Sequence, residues 1–135
     1  MPKRYQGSCL CGQITYSVTG LKSEAANCHC RMCRKFHGAA FGTLVPVTGL
    51  SWLTGTELLK EYTAENGTTR TFCSNCESSI GFRVGGAAVE DIELAIATFD
   101  EDIPVIVTAQ IYTYYKASWY NLSDSIKIYS EGTGH

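Results

Sequence analysis

Gly7-Ser8-Cys9-Leu10-Cys11-Gly12-Gln13-Ile14-Thr15-Tyr16-Ser17-Val18-Thr19-Gly20 is the stretch that decides the fold. From Gln13 to Val18 polar and apolar side chains alternate, the period-two pattern of a strand with one buried face, and Thr19-Gly20 closes it. Immediately before that strand two cysteines stand one residue apart. Outward along the chain the same two signals recur. Ala39 to Val47 is a continuous apolar run, and Leu58–Thr63, Thr68–Cys73, Ser79–Val84 and Ile92–Thr98 are further strand candidates. Gln110–Tyr115 adds an aromatic-rich strand and Ser125–Tyr129 a short last one. Turn residues punctuate them at Gly55, Asn66-Gly67 and Gly85-Gly86, where a positive φ costs little. Helical periodicity is confined to a short stretch from Arg31 to Phe36. The expectation is one mainly-β domain over residues 1–135, built of small stacked antiparallel sheets with little helix.

Bulk properties narrow the classes. A chain of 135 residues that is 44% apolar and 18% charged has the size and composition of one globular domain. Its formal charge of −2 lacks the basic footprint of a nucleic-acid binder. Neither Ala39 to Val47 nor Ile103 to Val107, which is interrupted by Pro104, approaches the roughly 20 residues that span a bilayer. Nor is the basic start, Lys3-Arg4, followed by the apolar segment of an export signal. A cytoplasmic location is therefore expected, with no membrane and no nucleic acid among the partners.

In a reducing compartment seven cysteines call for metal or thiol chemistry rather than disulfides, and an odd count leaves any purely disulfide scheme one thiol over. They fall in three groups: Cys9-Leu10-Cys11, Cys28-His29-Cys30-Arg31-Met32-Cys33 and Cys73-Ser74-Asn75-Cys76. Such spacings let two or three thiolates converge on one ion inside a tight turn, which suits tetrahedral zinc. Two closed four-cysteine sites would need one thiol more than the chain has. The natural partition is a closed structural site from Cys9, Cys11, Cys73 and Cys76, and an open three-ligand site from Cys28, Cys30 and Cys33. Structural zinc is filled by protein ligands, whereas catalytic zinc keeps one position for water or substrate. Arg31, Arg34 and Lys35 flank the triplet and can hold an anionic substrate or form a solvated basic edge. Other readings stay open here: His37 completing the second site, an iron–sulfur cluster, or a metal-free redox thiol.

Gly7-Ser8-Cys9-Leu10-Cys11-Gly12, Cys28-His29-Cys30-Arg31-Met32-Cys33-Arg34-Lys35 and Phe72-Cys73-Ser74-Asn75-Cys76, in this order, resemble the glutathione-dependent formaldehyde-activating enzyme family, which shares its domain with centromere protein V. Phe99-Asp100, the Ile111 strand and Trp119 also fall where that family tends to place similar residues. The resemblance implies a β-tent-like fold around a structural zinc and the same partition of ligands. It implies a carbon–sulfur lyase run in reverse, condensing glutathione with formaldehyde to S-(hydroxymethyl)glutathione. In that scheme the open zinc holds the thiol as thiolate beside the aldehyde, and neighbouring cations hold its carboxylates. One departure is local: Cys76 is followed by Glu77 where the family usually has glycine. The competing class is a non-catalytic zinc scaffold that binds a protein partner. Tyr112, Tyr114 and Tyr115 are read as strand packing, Trp52 and Trp119 as fillers of core or rim, and His135 as a disordered terminus.

Overall fold

The alternating stretch is a strand, and its inward side chains found the main core. The computed structural model describes residues 3–123 and 125–132; His135 lies outside them. In chain order the elements are β1 (Tyr5–Ser8), β2 (Thr15–Val18), β3 (Gly20–Leu21), β4 (Glu24–Cys28), α1 (Arg31–His37), β5 (Gly42–Thr48) and β6 (Ser51–Thr54). They continue with β7 (Leu59–Thr63), β8 (Thr69–Cys73), β9 (Ser79–Arg83), β10 (Glu93–Ala95), β11 (Ile106–Ile111) and β12 (Lys127–Ile128). The protein is mainly β, with α1 its one α-helix among the described residues. No helix there is long and apolar enough to cross a membrane.

The chain forms two compact units. The first comprises the residues up to Lys22 together with Leu44–Pro104. In it β1, β2 and β6 make an antiparallel sheet with Gly7 opposite Tyr16 and Tyr16 opposite Trp52. The β5 segment from Leu44 pairs with β10, β10 with β9, β9 with β8 and β8 with β7, all antiparallel, and β3 adds to β5. Ile14, Tyr16, Val18, Ile80, Ile92 and Leu94 bury together with Cys9 and Cys73. Tyr16 sits at the centre. Its ring meets Trp52 and Phe99 edge-on at 5.9 and 5.4 Å, and its hydroxyl lies 2.6 Å from Thr98 Oγ1. A Cβ on Gly7 would stand 2.3 Å from that ring, so the neighbouring strand must be bare there.

The second unit comprises Ser23–Thr43 and the residues from Val105 onward. Here β11 pairs in parallel with β4 on one side and β12 on the other, whereas antiparallel pairing was expected throughout. Parallel neighbours need a long crossover, and the whole segment between Cys28 and Ile106 supplies it. The buried apolar residues here are small, Ala25, Cys33, Ala40, Ala109 and Ala117, and His29 and Gln110 are buried as well. The Phe41 and Tyr120 rings lie 5.1 and 6.1 Å from the His29 ring.

Differences from the pattern reading have local causes. The aromatic strand expected over Gln110–Tyr115 begins earlier, at Ile106, and ends at Ile111. Tyr112 takes φ 54°, its N–H bonds Glu131 O, and Thr113–Tyr115 is a short 3₁₀ turn. β4, with the sequence Glu-Ala-Ala-Asn-Cys, holds no β-former and is a strand because β11 supplies its ladder. Gly55, Gly67 and Gly86 do take positive φ, at 78°, 88° and 80°.

Candidate metal centres and a basic cavity

In the first unit the loop after β1 and the loop after β8 each bring two thiols to one point. The Cys9 carbonyl accepts from Gly12 N–H and the Cys9 N–H bonds Ile14 O, folding Cys9-Leu10-Cys11-Gly12 into a knuckle whose Leu10 tip is exposed. The Cys73 carbonyl accepts from Glu77 N–H at 2.8 Å, making the second knuckle. All four Sγ atoms lie within 4.8 Å of one another. Tetrahedral zinc with bonds of about 2.3 Å requires sulfurs about 3.8 Å apart. Cys9 and Cys11 stand at 3.5 Å, and Cys11 and Cys73 at 4.0 Å. Backbone N–H groups point at the sulfurs: Ile14 to Cys9, and Asn75 and Cys76 to Cys73, at 3.3 to 3.4 Å. Donors aimed at sulfur favour thiolate, the form a metal needs.

The thiol electrostatics are uneven. Burial pushes Cys9 up to about 11, assisted by the neighbouring thiols against the Ile14 amide. Cys76 is also raised by burial, but hydrogen bonds from Ser78 and the Cys11 backbone outweigh this and bring it to about 6. The Asn75 side chain and the Gln13 amide lower Cys11. A cluster that mixes raised and lowered thiols has a donor set able to hold a cation. Sequence reading missed Ser78: its Oγ accepts from Leu10 N–H at 2.7 Å and lies 3.3 Å from Cys76 Sγ, tying the two knuckles together. A serine two residues past a knuckle cysteine was the available signal.

In the second unit Cys28 ends β4, Cys30 caps α1 and Cys33 lies in its first turn. Cys33 N–H bonds Cys30 Sγ at 3.3 Å, so a sulfur takes the N-cap role usually given to oxygen. The three Sγ atoms again lie within 4.8 Å of one another. Cys33 is buried, while Cys28 and Cys30 are half-buried. Cys30 and Cys33, with burial, push Cys28 far above the ordinary thiol range. Three converging thiols form a donor set that fits zinc as the first one does. Among the described residues no fourth side chain joins it. His37 does not: its ring lies where a Cβ on Gly42 would stand, 2.1 Å from that point. Neither does His29. Placed between the end of β4 and α1, it is fully buried, with Nε2 2.6 Å from Gln110 Oε1 and Nδ1 without a partner.

Arg31, Arg34 and Lys35 line a cavity of about 270 Å³ with Gly38, Ala39 and Trp119. Arg34 is fixed by a 2.8 Å bond to the Tyr115 carbonyl. Trp119, read as a filler, is 68% exposed at the cavity edge, whereas Trp52 packs against the core as expected.

Small β units carrying one four-thiol and one three-thiol cluster define a cysteine-rich β protein with two places able to hold metal. The chain belongs to the glutathione-dependent formaldehyde-activating enzyme family, whose model matches residues 4–116. The match covers all seven cysteines and ends before Trp119. No curated protein matches the chain. Among solved structures, a crystal structure of a Rhodobacter sphaeroides protein is similar at 23% identity and a TM-score of 0.58, over 76% of this chain and 99% of that one. At that identity the likeness shows the fold alone.

Proposed function

We propose that the protein is a zinc-dependent carbon–sulfur lyase-type enzyme acting on a thiol adduct, with glutathione and formaldehyde giving S-(hydroxymethyl)glutathione as the leading reaction. In that reaction a sulfur–carbon bond forms and the carbonyl π pair moves to oxygen. The oxygen then takes up a proton equivalent to the one the thiol gave up. The observation that carries the reading is the pairing of a four-thiol cluster with a three-thiol cluster that no fourth side chain joins among the described residues. Family membership supports it.

Cys9, Cys11, Cys73 and Cys76 would hold a structural zinc, and Cys28, Cys30 and Cys33 an open one. Zinc at the open site supplies a Lewis-acid position that lowers the pKa of an incoming thiol. The chain's own part is positional. Cys30 is held by the Cys33 amide and Cys28 by the β4–β11 ladder; both are half-buried, whereas Cys33 is buried. Burying His29 under its bond to Gln110 fixes the backbone between two ligands. Residues 1–135 are read as a single zinc-binding domain, each compact unit carrying one cluster. Seven cysteines gathered into two clusters support a reducing, cytosolic setting.

The test is metal stoichiometry by native mass spectrometry with and without added zinc and glutathione, together with NMR of labelled formaldehyde exchanging into S-(hydroxymethyl)glutathione. The expected result is two zincs per chain, one of them labile and protected by thiol, and an exchange rate that falls in Cys30→Ser. One inert zinc with no acceleration of exchange would replace the enzyme by a zinc scaffold.

A further inference from the structure

The cations beside the triplet share a helix with it but not a face. At about 100° per residue, Arg31, Arg34, Lys35 and Gly38 follow the i, i+3, i+4, i+7 rule and form one stripe, whereas Cys33 lies about 200° round from Arg31. Burial agrees: Cys33 is buried, while Arg31 and Lys35 are exposed and Arg34 half-exposed. The stripe is the wall of the cavity that Trp119 edges.

Three observations set this cavity apart from a basic helix surface. None of its three cations forms an ion pair among the described residues, unlike Lys3 with Glu101 and Arg83 with Glu61. Arg34 is not free to wander, since the Tyr115 carbonyl holds its guanidinium. Trp119 is left 68% exposed at the edge, a large flat apolar surface beside three positive charges. Helix-dipole stabilisation accounts for Arg34 and Lys35 in the last turn of α1, but not for Arg31 in the first turn or for the tryptophan. Trp119 also lies past residue 116, where the family match ends.

We infer that Arg31, Arg34, Lys35 and Trp119 form an anion-binding site separate from the thiol cluster, for a small organic ligand that joins carboxylate or phosphate groups to a flat or apolar body. The guanidiniums and the ammonium take the anionic groups and the indole covers the body. At about 270 Å³ the cavity lies just under the usual range of ligand clefts, so the ligand is small. Two sources have this chemistry: the remote end of a thiol substrate reaching round α1, or an independent small anion. The inference does not rest on the lyase reading, because it needs no metal.

Trp119 is itself the reporter. The zinc-loaded protein is titrated at constant ionic strength with phenyl phosphate and with S-methylglutathione, which has carboxylates but no free thiol. Tryptophan emission, calorimetry and metal content are followed. Phenyl phosphate should give a saturable emission change that Trp119→Phe removes. The double variant Arg31→Ser/Lys35→Ser should bind at least about tenfold more weakly with its zinc content unchanged. Competition by S-methylglutathione assigns the site to the far end of a substrate; binding of phenyl phosphate without competition assigns it to a separate anion. Absence of saturable binding for both probes overturns the inference, as does equal affinity in the double variant. Loss of zinc from that variant would overturn the separateness of the two sites. Formaldehyde exchange in the double variant is read in parallel: activity without anion binding leaves the lyase reading standing alone, and the converse leaves the cavity standing alone.

Discussion

Replacing Glu77 by glycine should stabilise this protein. Glu77 is the residue after Cys76, where the sequence departs from the glycine its family usually carries, and it sits at φ 63° with its side chain exposed. Its N–H bonds Cys73 O at 2.8 Å, so the knuckle cannot relax the angle without opening the turn that holds two thiols. For an L residue with a Cβ the left-handed region costs about 1–2 kcal/mol. Glycine removes that cost but adds about 0.5–1 kcal/mol of unfolded-chain entropy. The net gain is about 0.5–1 kcal/mol, which in a chain of this size raises Tm by about 2–4 °C.

The assay is calorimetry of zinc-loaded protein, with zinc release to a chelator as a second readout. Glu77→Ala keeps the Cβ and should gain nothing, whereas Glu77→Asn, which tolerates this region better, should fall between. If alanine stabilises as much as glycine, charge or propensity is responsible and the strain argument fails. If glycine lowers Tm, Glu77 makes a contact that outweighs its backbone.

Gly7→Ala sets a methyl 2.3 Å from the Tyr16 ring and should cost about 1–3 kcal/mol, read by denaturant unfolding; an unchanged midpoint would mean the β1–β2 pair is not packed as described. Ser78→Ala removes the link between the knuckles and should speed zinc release from the four-thiol site without changing the three-thiol site; equal rates would assign Ser78 no role there. Burial raises the Glu93 carboxyl and Lys22 pulls it back only in part. A raised carboxyl favours folding below the unfolded value, about 4.3, and loses that advantage as pH rises through the folded one. Glu93→Gln should therefore match the parent near pH 4 and exceed it in Tm near pH 8, and a pH-independent difference would contradict this. Cys73→Ser should unfold the protein whereas Cys30→Ser leaves it folded and short of one metal; equal damage in melting curves would break the partition.

The thiol chemistry was legible because it is local. Cys9-Leu10-Cys11, Cys73 to Cys76 and Cys28 to Cys33 each converge by spacing alone, and the structure gathers them as the counting argument divided them. Strands with strong alternation, such as Thr15–Val18, and turns at Gly55 and Gly67 were equally visible. What was not legible depends on distant partners. β4 is a strand through its pairing with β11, and Tyr112 leaves the ladder because Glu131 captures its N–H. The burial of His29 required Gln110 and the Phe41 and Tyr120 rings, none close to it in sequence. The cations were found but not their face, since a seven-residue helix is too short to show a stripe without its neighbours.

The two clusters differ less in ligand chemistry than in what they close. Cys11 and Cys73 are 62 residues apart, and an ion held between them fixes a loop that the unfolded chain must close at about 4 kcal/mol of entropy. An unfolded chain presents no such site, so binding free energy there becomes folding free energy. Cys28, Cys30 and Cys33 span six residues, so an ion held among them would close almost no loop. Metal held at the triplet would thus be able to leave or exchange without melting the fold, as the open site proposed above requires. At the quartet the same loss removes the tie between the β1–β2 and β8–β9 hairpins. On the proposed reading one chain would keep a staple and a labile centre made of the same ligand, because sequence separation, not donor type, would set which ion the fold depends on.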